Sequence, residues 1–138
     1  MNLIKTLGIC SYHDNTDEPY MCENQTEHFK KILHKWKEHL LHSAGETNSY
    51  LQRESGNIAD ITDNATQVEE HDHRIRFNER DRKLAKRIET TIRSLQEGKY
   101  GFCEICECEI GIKRLEARPV ANMCIDCKTL AEEAENVY

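Results

Sequence analysis

Asn24-Gln25-Thr26-Glu27-His28-Phe29-Lys30-Lys31-Ile32-Leu33-His34-Lys35-Trp36-Lys37-Glu38-His39-Leu40-Leu41 is the stretch that decides the fold. Its apolar side chains sit at Phe29, Ile32, Leu33, Trp36, Leu40 and Leu41, and the pattern weakens onward through Ala44, Thr47 and Leu51. Steps of four and three along 29, 33, 36, 40, 44, 47 and 51 lie close to a heptad, so one stripe of a helix is apolar and the rest is charged. Asn24 or Thr26 is placed to cap this helix, with Glu27 three residues after Asn24 as a capping box needs. Ser55-Gly56-Asn57 interrupts the pattern and offers a glycine for the C-cap.

A second periodic stretch runs from about Asp63 to Glu97, with Ala65, Val68, Ile75, Leu84, Ala85, Ile88, Ile92 and Leu95 as its apolar members, and Gly98 stops it. Two helices of about thirty residues joined by a short connection bury such stripes against each other, which predicts a long antiparallel coiled-coil hairpin over residues 24–98. Its tip falls near 57–65, and each arm would extend roughly 45–50 Å. Residues 1–23 carry no sustained period and read as a mobile or loosely docked N-terminal arm. The predicted fold class is mainly α.

Composition agrees. Of 138 residues, 38% are apolar and 32% charged, with two prolines and six glycines, too few for the turns of a many-stranded β fold. A net charge of −6 disfavours bulk attraction to nucleic-acid phosphates. No run approaches the roughly 18 apolar residues of a membrane span, and the apolar part of residues 1–9 is too short for a convincing secretory signal. The expected location is the cytoplasm.

Seven cysteines, an odd number, argue against a disulfide framework there and for metal or thiol chemistry. Cys103-x2-Cys106 and Cys124-x2-Cys127 are the two knuckles of a four-thiolate zinc site, spanning residues 99–128. Four thiolates close a tetrahedral shell and leave no position for a substrate, so the zinc is structural: it replaces a core that some 30 residues cannot build. Cys108, one residue beyond Cys106, is a competing ligand, a nearby reactive thiol or simply a small side chain. Cys10 and Cys22 have no interpretable spacing. Residues 129–138 read as a short acidic C-terminal helix.

Two charge patterns remain. Glu54, Asp60, Asp63, Glu69, Glu70 and Asp72 place six carboxylates around the predicted tip with no Lys or Arg between 54 and 72; on spacing alone they read as a solvated helix start. Arg76, Arg80, Lys83 and Arg87 recur at four and three as a basic stripe, which by itself reads as a solvated face. With Arg118 and Lys128 it could instead hold a phosphorylated ligand, since guanidinium forks match phosphate oxygens. The His39/His42 and His71/His73 pairs read as surface residues.

The run Tyr100-Gly-Phe-Cys-Glu-Ile-Cys, the run Glu109-Ile-Gly-Ile-Lys-Arg-Leu-Glu-Ala-Arg-Pro119 and the run Asn122-Met-Cys-Ile-Asp-Cys-Lys-Thr-Leu-Ala-Glu132 closely resemble the zinc finger of the DksA/TraR family of bacterial transcription factors. Asp60-x2-Asp63-x-Ala65 resembles the family's coiled-coil tip motif, and His28-Phe29-x2-Ile32-Leu33-x2-Trp36 its first helix. The resemblance implies a monomeric regulator, not an enzyme, that binds RNA polymerase without sequence-specific DNA binding. It implies insertion of the coiled coil into the polymerase's secondary channel, with Asp60, Asp63 and Ala65 at the tip. It further implies an effector, ppGpp, at a seam with the polymerase formed by Arg80, Lys83, Leu84, Arg87, Arg118 and Lys128, and action at ribosomal RNA and biosynthetic promoters in the stringent response. Asn64, His71, Asp72, His73 and Phe77 depart from the family's usual residues, and Cys108 replaces an apolar one. The competing readings are a zinc-ribbon nucleic-acid binder and a thiol redox sensor using Cys108; neither accounts for the hairpin.

Overall fold

The computed structural model describes residues 2–13, 17–54 and 61–136, and for 51, 54 and 61–64 it describes the backbone alone. Five helices follow in order: α1 (Leu3–Thr6), α2 (Glu23–Glu54), α3 (Ile61–Gln96), α4 (Ile112–Ala117) and α5 (Ile125–Glu135). Among the described residues the β pairing is one isolated antiparallel bridge, Phe102 with Glu109. The fold is mainly α, a coiled-coil hairpin with a four-cysteine module and a C-terminal helix. Among the described residues no helix is long and apolar enough to cross a membrane. The predicted C-cap at Ser55-Gly56-Asn57 lies outside the described residues.

The chain divides into two compact units, Met1–Lys35 with Thr90–Tyr138, and Trp36–Glu89. In the first, Phe29, Ile32 and Leu33 of α2 are wholly buried, as are Ile110 and Leu115, with Ile92, Leu95 and Tyr100 close behind. Each such side chain contributes about 1.5–3 kcal/mol of transfer free energy. The Phe29 and Tyr100 rings lie 5.5 Å apart, and the Tyr100 hydroxyl donates to the Pro119 carbonyl at 2.8 Å. Helix α2 starts one residue before the predicted capping box. At its N-terminus the buried Gln25 side chain takes over, accepting from the Met21 N–H at 2.8 Å.

The N-terminal arm is not loose. Ile4 is 2% exposed, and α1 packs on α4. The Tyr12 N–H donates to Glu116 Oε1 at 2.6 Å, and the same oxygen lies 3.0 Å from His28 Nε2. Tyr20 closes over Gly101, its hydroxyl 2.7 Å from the Gly101 carbonyl oxygen and 2.5 Å from that of Ile110. Position 101 must be glycine for two reasons. Its φ is +92°, and a Cβ there would come within 2.7 Å of the Tyr20 hydroxyl and of Met21 Cε.

In the second unit α2 and α3 run antiparallel: Lys37 Nζ meets Glu89 Oε1 at 2.7 Å, while further along α2 and further back along α3 the Arg74 guanidinium lies 3.6 Å over the Tyr50 ring. Leu40 and Ile88 are its buried apolar residues. Steps of three and four back from Ile88 lead to Ala85, Asp81, Asn78 and Arg74, all half-buried, whereas Ala65, Val68 and Ile75 of the predicted stripe are exposed. Half of the α3 seam is therefore polar. Asn78 Oδ1 is buried with no hydrogen-bond partner among the described residues, a cost in stability of the kind that fixes register in coiled coils.

Burial raises the pKa of Asp81 above the usual carboxylate range, against the opposing pull of Arg80 and His39. A carboxyl with a raised native pKa binds protons more readily folded than unfolded, so stability falls as pH rises through that native value. Asp81→Asn should thus raise Tm at pH 7, and the gain should vanish at acid pH. Thermal melts of both proteins across the acid range check this.

Candidate metal centre and basic stripe

The first knuckle is made by a tight turn. The Glu107 N–H donates to the Cys103 carbonyl at 3.0 Å, and the Cys103 N–H donates to that of Cys108 at 2.9 Å. The turn needs a left-handed residue, and Glu107 takes it at φ 57°. In the second knuckle Cys124 is the N-cap of α5, its Sγ accepting from the Cys127 N–H at 3.5 Å. The C-terminal helix thus begins inside the knuckle, four residues before the predicted position 129, and carries Cys127 and Lys128 on its first turn. The two knuckles are tied by Glu104 N–H to the Asn122 carbonyl at 2.9 Å and by the Asn122 side-chain amide to Glu104 at 2.8 Å. Arg114 Nε of α4 holds the Met123 carbonyl at 3.2 Å.

These ties gather the sulfurs of Cys103, Cys106, Cys124 and Cys127 within 4.8 Å of one another. Cys103 and Cys124 are buried, Cys127 is half-buried and Cys106 is exposed. A tetrahedral zinc with arms of about 2.3 Å requires sulfur–sulfur edges of about 3.8 Å, and the Cys106–Cys124 edge is 3.7 Å. Backbone N–H groups, first that of Cys106 and then that of Cys124, point at Cys103 and lower its pKa to about 6; the Cys127 N–H likewise lowers that of Cys124. Thiolates are what zinc binds. The donor set fits one structural zinc.

Arg76, Arg80, Lys83 and Arg87 form an exposed stripe on α3, with Leu84 half-buried among them. Arg118 is the exposed C-cap of α4, and half-buried Lys128 on α5 pairs with Glu132 at 3.3 Å. The first four belong to the unit Trp36–Glu89 and the last two to the other. Asp60 lies outside the described residues; Asp63 falls on the α3 backbone, and Ala65 is exposed on its first turns. His39, His42, His71 and His73 are exposed, in keeping with surface roles.

The residue that sequence reasoning missed is Glu116, 8% exposed and shared by Tyr12 and His28. Its signal was legible: Ile112, Leu115 and Glu116 fall on one helical face, so a carboxylate occupies a core position.

Comparison with known proteins covers nearly the whole chain. Residues 25–95 match the family model described as the DnaK suppressor protein DksA N-terminal domain, and residues 98–133 match the prokaryotic dksA/traR C4-type zinc finger. The chain is 47% identical over 135 residues to the RNA polymerase-binding transcription factor DksA of Buchnera aphidicola subsp. Schizaphis graminum, covering 98% of this chain and 89% of that one. Identity to the protein of the same name is 46% in Haemophilus influenzae, with 98% and 93% covered, and 42% in Escherichia coli K12, with 98% and 89% covered. The solved structure of transcription factor DksA2 from Pseudomonas aeruginosa superposes with a TM-score of 0.80 at 28% identity, over 96% of this chain and 97% of that one.

The left-handed Glu107 generates a prediction. Glu107→Gly should stabilise the zinc-loaded protein by about 0.5–1 kcal/mol, while Glu107→Ala should give no gain, because only glycine removes the Cβ clash. Chemical unfolding of the three proteins measures it.

Proposed function

The chain belongs to the DksA/TraR family, and on that premise we propose that it regulates transcription by binding RNA polymerase directly. The observation that carries the reading is the end-to-end match of residues 25–133 to the two halves of the family, supported by relatives that share its whole length. The zinc module is structural, and the protein acts by binding rather than by catalysis. In this reading the coiled coil enters the secondary channel of the polymerase, with Asp60, Asp63 and Ala65 foremost. Carboxylates delivered beside a magnesium-bearing centre alter the local field there. A binder that favours one state of the promoter complex shifts the population in proportion to its differential affinity. Open complexes at ribosomal RNA promoters are the ones this reading expects to be shifted.

The effector in this proposal is ppGpp, held at the seam with the polymerase by Arg80, Lys83, Arg87, Arg118 and Lys128 with Leu84 as an apolar neighbour. The exposure of the stripe on α3 supports it, because groups meant for phosphate oxygens must face outward until the partner arrives. The overall charge of −6 supports polymerase rather than bare DNA as the partner, since the cations are local to this stripe. The protein works as a monomer in the cytoplasm.

The test is the lifetime of open complexes at a ribosomal RNA promoter. The protein should shorten it roughly fivefold, the ratio that about 1 kcal/mol of differential binding sets, and further with ppGpp. Asp63→Asn should keep polymerase affinity and lose most of the shortening. An unchanged lifetime despite saturating binding contradicts the proposal.

A further inference from the structure

The zinc-binding face carries a fifth thiol. Cys108 Sγ lies 3.0 Å from Cys106 Sγ. The left-handed turn at Glu107 brings this about: it reverses the chain between the two cysteines, and the Cys103 N–H to Cys108 carbonyl bond then locks residue 108 beside the knuckle. Cys106 and Cys108 are both exposed, whereas Cys103 and Cys124 are buried. The site therefore has two fixed inner sulfurs and, on its outer side, more sulfur than a tetrahedron can use.

The separation decides how the surplus is arranged. Two ligands on one tetrahedral zinc stand about 3.8 Å apart, so sulfurs 3.0 Å apart do not both occupy vertices of the same ion. They compete for one. A change of χ1 on this exposed turn carries one sulfur toward the vertex as the other leaves it.

We propose that Cys108 is a reserve zinc ligand, and that Cys106 and Cys108 share the fourth vertex of the site. Cys103, Cys124 and Cys127 hold the other three. The consequence is a zinc site that survives loss of one outer thiol to alkylation or oxidation, because its neighbour completes the shell. This rests on the four-thiolate reading of the module.

Cobalt(II) in place of zinc tests it, since the intensity of the sulfur-to-cobalt charge-transfer band counts the bound thiolates. Wild type, Cys106→Ser and Cys108→Ser should all give four-thiolate spectra, and the double variant Cys106→Ser/Cys108→Ser should lose about a quarter of the intensity. A Cys106→Ser spectrum reduced as far as that of the double variant overturns the proposal. A wild-type spectrum with fewer than four thiolates overturns the metal reading beneath it as well. The folded wild type gives a second readout if Cys106→Ser fails to fold. Limited alkylation of the zinc-loaded protein, mapped by mass spectrometry, should label Cys106 and Cys108 to comparable extents, in molecules carrying one adduct or the other and still holding zinc. Labelling confined to Cys108, with Cys106 fully protected, overturns the shared vertex.

Discussion

Four sulfurs converging on one cation are the constraint from which the rest of this structure follows. The segment between Gly98 and Lys128 buries Tyr100, Ile110, Ile112 and Leu115 at its junction with the rest of its unit, but Ile105 and Ile125, within the knuckles, are about 60% exposed. A segment of this size does not build a core, and apparent zinc-binding free energies of about 10–16 kcal/mol are the scale on which metal replaces one. Once the knuckles are closed, the remainder of their unit acquires a surface to pack on. Tyr100 meets Phe29, α4 receives Ile4, and Glu116 receives the Tyr12 N–H and His28.

The sequence makes the metal site and the helices legible because both are local. Cysteine spacing states a ligand geometry within a few residues, and the four-and-three rhythm from Phe29 to Leu40 states which face of α2 is buried. The missed features are non-local. Nothing in residues 1–23 by themselves tells that Ile4 and Tyr20 have sockets, because those sockets are made by α4 and by Gly101 far along the chain. The capping box at Asn24 lost to Gln25 for a similar reason: burial of Gln25 turns its amide toward the Met21 N–H. On α3 the reading of apolar residues alone chose Val68 and Ile75, while the heptad phase anchored by Ile88 placed Asp81, Asn78 and Arg74 on the seam. Phase decides there, not hydrophobicity.

That polar seam gives the two units different characters. The unit Trp36–Glu89 buries little apolar surface beyond Leu40 and Ile88 and relies on pairs such as Lys37–Glu89 and Arg74 over Tyr50. Pairs of this kind contribute little each and specify alignment more than they stabilise. The unit with the metal concentrates its apolar side chains and its thiolates. Such a division suits a regulator in which one part must hold its shape and the other must conform to a partner. Asp60, which the resemblance places at the tip, lies outside the described residues.

The most direct measurement of the central claim is hydrogen exchange across the chain before and after zinc is stripped by a chelator. Metal removal should abolish amide protection over residues 98–128 and in the arm segments that dock there, leave the helical stretches of residues 36–89 much less affected, and be reversed by added zinc. Undiminished protection at Cys103, Glu107 and Cys127 in the metal-free protein would contradict it.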